Sequence, residues 1–148
     1  MEKKNYGREN SLNLKLFLIL NRCTQSVNRN IYPIFKEEGI TESQFYVLEF
    51  LYHKGDSRIK DIINKTFSTG GTMTVIIDNL AKQNLIEKKR DPRDKRAFLI
   101  SLTLKGKEVI EKIFDKHLKN LEKIFNVLEN EEKEELKELL KKLGKSQN

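Results

Sequence analysis

The chain has 148 residues, 37% hydrophobic and 34% charged, with 29 basic and 22 acidic side chains and a single cysteine. That length suits one domain, or one domain with helical extensions, and one cysteine excludes an intrachain disulfide framework. The longest apolar run, Leu16–Leu20, is far short of the roughly 18 residues that span a bilayer.

The first ten residues, MEKKNYGREN, lack the apolar core of a signal peptide, and a cytoplasmic location is expected. The formal charge is +7 and it is unevenly spread. Residues 54–100 hold eleven basic against six acidic side chains, the largest excess in the chain. A basic excess confined to one segment suits a surface that binds phosphate; a merely lysine-rich, solvated protein would spread it evenly.

From Ser11, apolar residues at Leu16, Ile19, Leu20, Cys23, Val27, Ile31 and Ile34 recur at helical period to about Lys36. Pro33 falls inside this pattern and predicts a kink or restart; Gly39 closes it. Thr41-Glu42-Ser43-Gln44 is a capping box flanked by a staple of Ile40 and Phe45, so a second helix starts there and buries Phe45, Leu48, Leu51 and Tyr52. Lys54-Gly55-Asp56 breaks it. A short extended piece at Ser57 and a third helix marked by Ile59, Ile62 and Ile63 follow.

Phe67-Ser68-Thr69-Gly70 reads as a turn, and Met73, Ile76, Ile77 and Leu80 give the next helix a buried face. Its other side offers Gly70, Thr72, Thr74 and Val75, none bulky. Asn84 suits a left-handed cap. Leu85-Ile86 opens a strand, Lys88 to Arg96 is a charged turn, and Ala97-Phe98-Leu99-Ile100 returns as a second strand. A helix followed by a basic two-stranded ribbon outlines a winged helix-turn-helix.

Beyond the ribbon, Thr103 caps a long helix with Ile110, Ile113, Phe114, His117, Leu121, Ile124 and Leu128 on one face. Asn130 is expected to cap a last helix with glutamates early, Lys141 and Lys142 late, and Gly144 as its stop. Its apolar face is Leu136, Leu139, Leu140 and Leu143. The fold class read from these elements is mainly α with a small β-wing. Residues 1–40 and 103–148 are dimerisation helices on either side of a DNA-binding unit at 41–102. The terminal helices carry more apolar surface than a small winged helix covers, so a homodimer is expected; a monomeric helical cap is the alternative.

Asp91-Pro92-Arg93-Asp94-Lys95-Arg96, the apolar strand after it, and Leu102-Thr103-Leu104-Lys105-Gly106-Lys107 resemble the wing and post-wing helix of the MarR family of transcriptional regulators. The likeness extends back through Gly71-Thr72-Met73-Thr74 and Asp78-Asn79-Leu80, and covers about Ser11 to Leu143. Two-fold symmetry would set two recognition helices about one DNA turn apart on a pseudo-palindromic site. Ser68, Thr69 and Thr72 would donate to phosphates, Gly70 and Gly71 would permit close approach, and Thr74 and Val75 would press on thymine methyls. Many relatives have Arg at the position of Val75, so direct guanine readout from there is not expected and the site should be A·T-rich. Arg93, Lys95 and Arg96 surround the wing turn. The resemblance implies that Arg96 enters the minor groove while Asp94 braces it.

The family also implies a pocket for a small phenolic or aromatic effector where the N-terminal, second and post-wing helices meet. Arg22, Tyr46, Tyr52 and His53 are candidates to line it, and a ligand favouring the wrong helix spacing would release DNA. Cys23, a lone thiol on an apolar face, reads as buried and inert, with a redox-sensing regulator on the same scaffold as the alternative. His117 reads as a core or interface residue. Neither histidine belongs to a zinc-type pair, and no cofactor, metal or catalytic motif is expected. The expected function is that of a ligand-released repressor rather than an enzyme; a winged helix serving protein contact is the rival from another class.

Overall fold

The structure, a computed structural model, describes residues 6–66 and 70–145, apart from the side chain of Lys95. Six helices and three strands follow one another among the described residues: α1 (Gly7–Glu37), α2 (Glu42–Lys54), β1 (Ser57–Arg58), α3 (Ile59–Lys65), α4 (Gly70–Lys82), β2 (Ile86–Asp91), β3 (Asp94–Leu102), α5 (Leu104–Phe125) and α6 (Asn130–Lys145). The expected turn at Phe67, Ser68 and Thr69 lies outside the described residues.

The helix boundaries follow from local chemistry. At the end of α1 the amide of Ile40 donates to the Phe35 carbonyl and that of Gly39 to Lys36, with Gly39 at φ 70°. This Schellman closure needs a left-handed residue, which glycine adopts without cost from a Cβ. Asn84 (φ 58°) repeats the motif after α4, the Leu85 amide reaching the Leu80 carbonyl at 3.0 Å. The capping box of α2 is complete: the Gln44 amide donates to Thr41 Oγ1 (3.2 Å) and the Thr41 amide to Gln44 Oε1 (2.8 Å).

Of the kink or restart expected at Pro33, no restart occurs: α1 runs unbroken from Gly7 to Glu37, with Ile31 and Phe35 buried on either side of the proline. Three further expectations need correcting here. The segment from Lys88 is strand rather than turn: β2 continues to Asp91 and β3 resumes at Asp94, because each charged side chain can point outward from a paired ribbon. α6 begins at Asn130 itself, and its leading amide, that of Glu129, is satisfied by the Glu132 carboxylate (2.9 Å). It also runs through Gly144 to Lys145.

The sheet order is β1-β3-β2, antiparallel throughout, with Ser57 opposite Ile100, Arg58 opposite Leu99 and Arg90 opposite Phe98. Its inner face joins α2, α3, α4 and the start of α5 in one core. Val47, Leu48, Ile62, Met73, Ile77, Leu80, Ile100, Ile110 and Ile113 are completely or almost completely buried there. The junction of α4 and α5 is tight. Thr103 Oγ1 donates to the Asn84 carbonyl (2.7 Å), its amide to Leu85 (3.2 Å), and Gly106 lies against the Leu85 backbone.

The terminal helices behave differently. Within this chain only Ile31 and Phe35 of α1 are buried, and no residue of α6 is. Leu12, Leu16, Phe17, Ile19, Leu20, Leu136, Leu139, Leu140 and Leu143 are all exposed. Cys23 is exposed too. The expectation that it is buried fails because no other part of the described chain covers α1 as far as residue 26.

Candidate nucleic-acid interface

α4 forms where small residues give way to an apolar stripe with helical spacing. Met73, Ile76, Ile77 and Leu80 are buried against the core, and Gly71, Thr72, Thr74, Val75, Asn79 and Lys82 face outward. Val75 is 60% exposed, high for a β-branched apolar side chain. A Cβ at Gly71 would meet no atom within 4 Å and one at Gly70 would meet only Ile63 at 4.0 Å. Packing among the described residues therefore does not require either glycine. Thr74 Oγ1 turns back to the Gly70 carbonyl (3.2 Å). Of the predicted contact residues, Ser68 and Thr69 lie outside the described residues, as does the side chain of Lys95.

The wing is fixed to this helix by charge. Lys88 Nζ on β2 bonds Asp78 Oδ1 on α4 at 2.8 Å, and holds that carboxyl below its ordinary pKa. At the tip, Arg58 Nε and Nη2 donate to Asp91 Oδ2 at 2.9 and 2.5 Å, while Asp91 Oδ1 accepts from the Arg93 amide at 2.9 Å. Asp91 is almost fully buried. The amide of Arg93 and then the Arg58 guanidinium hold its carboxyl below the usual range, so it stays charged in place.

Asp94 Oδ1 accepts from the Arg96 amide (3.1 Å), with no bond to the Arg96 guanidinium among the described residues, and its other oxygen lies 3.6 Å from Arg58. Both aspartates of the turn are thus engaged inward, leaving Arg93 and Arg96 exposed. Arg90 lies over the ring of its cross-strand partner Phe98, 4.7 Å from the centroid.

The predicted effector residues separate. Tyr46 and His53 line a cleft of about 410 Å³ between α2 and α3, with Glu49, Phe50, Lys54, Lys65 and Thr66. Burial, then the Glu42 carboxylate, push the Tyr46 phenol up to about 12. Tyr52 turns the other way and its hydroxyl reaches Glu111 on α5 (3.3 Å); Arg22 stands on the uncovered half of α1. The meeting point of α1, α2 and α5 is filled by stacked Phe35 and Phe45, 4.5 Å apart, with His117 edge-on to Phe45 at 5.0 Å. Burial lowers the His117 pKa, and its Nδ1 has no partner.

Residues 29–113 match the family model for the transcriptional regulators SarA/Rot. Over 131 residues the chain is 34% identical to MhqR, an HTH-type transcriptional regulator of Bacillus subtilis (strain 168), covering 88% of this chain and 90% of that protein. The chain is a MarR-family transcriptional regulator. A mutant MarR from E. coli, solved with operator DNA, superimposes on this family member with a TM-score of 0.80 at 22% identity, covering 93% of this chain and 99% of that one. Bordetella bronchiseptica BpsR, described as regulated in its DNA binding by 6-hydroxynicotinic acid, gives a TM-score of 0.77 at 25% identity over 85% and 90% of the two chains.

Sequence reasoning passed over two residues of the candidate interface. Arg58 was given no role in the wing, and only the fold places it against Asp91 of the wing turn. Asn79 carried a signal that could have been used. It is a polar residue of poor helix propensity in the middle of a helix, on the side opposite the apolar stripe. Among the described residues, no helix is long and apolar enough to cross a membrane.

Proposed function

We propose that this MarR-family regulator is a cytoplasmic, homodimeric repressor that binds a pseudo-palindromic, A·T-rich operator and leaves it when a small aromatic ligand binds. It acts without catalysis. The observation that carries the DNA-binding mode is the pairing of two surfaces. The exposed face of α4 and the Arg93–Arg96 wing tip belong to one body, tied by the Lys88–Asp78 and Arg58–Asp91 bridges. A helix sits in a major groove and a guanidinium in the adjacent minor groove when such a body meets a duplex. Gly70 and Gly71 keep the start of the helix narrow where no internal packing asks for it. Dimerisation is supported by the uncovered apolar faces of α1 and α6, which a second copy would bury. The cleft bearing Tyr46 and His53 supplies an apolar floor for the ligand, and the Tyr46 oxygen, whose proton is donated to Glu42, can accept from it.

Fluorescence anisotropy on the regulator's own upstream DNA, beside a scrambled duplex and at two salt concentrations, tests the reading. Expected is selective binding that weakens steeply with salt, with the slope in log[salt] reduced by about one in Arg96→Ala. Equal, salt-independent binding to both duplexes would overturn it. One observation sustains a second mode of release: the Cys23 thiol is exposed on α1, open to oxidants in the free chain. Cys23→Ser separates the two, since only a redox switch loses its oxidant response.

A further inference from the structure

The outward face of α4 offers little hydrogen-bonding chemistry, and elimination narrows it further. Val75 is apolar. The Thr74 hydroxyl is turned onto the Gly70 carbonyl. Asp78 is an anion bonded to Lys88, and it would repel phosphate rather than approach the groove freely. Lys82, at the end of the helix, is a point charge suited to a phosphate. A single hydroxyl such as that of Thr72 bonds several base edges about equally well. What is left is Asn79: exposed, without a side-chain bond among the described residues, and the one planar amide of α4.

Its placement is as informative as its chemistry. At 100° per residue Asn79 lies within about 20° of Thr72 and 40° of Val75 around the helix, so the three form one stripe. Val75 and Asn79 are four residues apart, about 6 Å along the axis. That is close to two steps of about 3.4 Å along a DNA strand. The helix is also held from behind by its buried stripe of Met73, Ile76, Ile77 and Leu80, so the amide is presented from a fixed backbone.

We propose that Asn79 is a specificity-determining residue that reads an adenine in each half-site, its carbonyl oxygen accepting from N6 and its amide donating to N7. Val75 contacts a thymine methyl about two base pairs away. This rests on the DNA-binding reading above and deepens it, turning a general preference for A·T pairs into a fixed two-point pattern. Asn and adenine match because the side-chain amide presents donor and acceptor in the same spacing as the adenine major-groove edge, and no other base pair does.

The test begins with selection of duplexes from a random-sequence pool by the full-length regulator, followed by atomic substitution in the selected site. Replacing each adenine in turn with 7-deaza-adenine removes only the N7 acceptor, and replacing each thymine with uracil removes only the methyl. Expected is one adenine per half-site whose 7-deaza form weakens binding by roughly tenfold, a loss absent in Asn79→Ala. A thymine about two base pairs away should show a smaller uracil effect that disappears in Val75→Ala. Alanine is the better helix former at an exposed site, so Asn79→Ala should fold at least as well as the parent. If every 7-deaza substitution affects parent and Asn79→Ala alike, or if Asn79→Ala loses affinity equally on selected and random duplexes, the assignment is wrong. Failure to enrich any duplex at low salt would instead remove the DNA reading itself, and this inference with it.

Discussion

Replacing Gly106 with alanine sets two effects of opposite sign against each other, and the structure decides which wins. Gly106 lies in the first turn of α5, where Gly→Ala should raise helix propensity by up to about 1 kcal/mol. An ideal Cβ there, however, would stand 1.9 Å from the Leu85 carbonyl oxygen, 2.8 Å from its carbon and 3.2 Å from its Cα. Carbon contacts settle near about 3.5–4.0 Å, so the two backbones must part by about 1.5 Å or more. The oxygen is no flexible tip: it already accepts the Thr103 amide at 3.2 Å. Moving α5 strains that bond, the Thr103–Asn84 bond and the cap from the Gly106 amide to Thr103 Oγ1 (3.0 Å). Overpacking of about 1–3 kcal/mol plus one or two weakened bonds, less the propensity gain, leaves a net loss of about 2–4 kcal/mol. At about 2–4 °C per kcal/mol for a chain of this size, the thermal midpoint should fall by roughly 5–15 °C, read at one fixed protein concentration. Gly144→Ala is the control. It lies in α6 with nothing within 4 Å of the added carbon, so the same change should be neutral or slightly stabilising. A Gly106→Ala midpoint at or above the parent's would refute the reasoning.

Arg58→Ala should free the wing turn from α3 while leaving the helical circular dichroism intact. Operator affinity should fall by roughly three- to tenfold, because Arg93 and Arg96 must then be ordered on binding; unchanged affinity would mean the turn holds itself. Thr41→Ala removes one half of the capping box and should lower unfolding free energy by about 1 kcal/mol in urea titration. His117, held below its ordinary 6.5 by burial, binds a proton more readily when the chain is unfolded. Its neutral form therefore supports the fold fully above that value, and stability should decline as pH falls below about 6.5, with a flatter profile in His117→Phe. A profile identical in the two proteins would show that other groups set the acid limit.

The parts of the fold readable from sequence were those governed by near neighbours in the chain. The Thr41–Gln44 box, the Asn84 cap and the buried stripe of α4 each follow from residues within a few positions of one another. The strand lengths did not, because residues 87–90 are charged and all exposed, so no alternating pattern marks β2, which is held by its pairing with β3. Arg58 and Asp91 are far apart in sequence, so their bridge is a tertiary fact that no local rule contains. Cys23 shows the converse limit. Its apolar neighbours correctly indicate a face that wants cover, yet periodicity cannot say whether cover comes from the same chain. The candidate effector residues separated for a similar reason, Tyr46 and Tyr52 lying on different sides of α2.

The two-residue strand β1 has a consequence for how the DNA-binding unit moves. Ser57 and Arg58 pair with Ile100 and Leu99, and all of α3, α4 and β2 lie between these partners in the chain. The helix-turn-helix is thus a closed ring, and β1 is its clasp. A closed ring cannot lose one segment to solvent without enlarging the loop carried by the rest, so opening is favoured only when the clasp itself releases. Amides of α3 and α4 should then exchange with solvent as one group, at a rate set by the pairing of two residues. Reorienting α4 and loosening the wing become a single event, and whatever pries at Arg58 from the α3 side reaches both surfaces together.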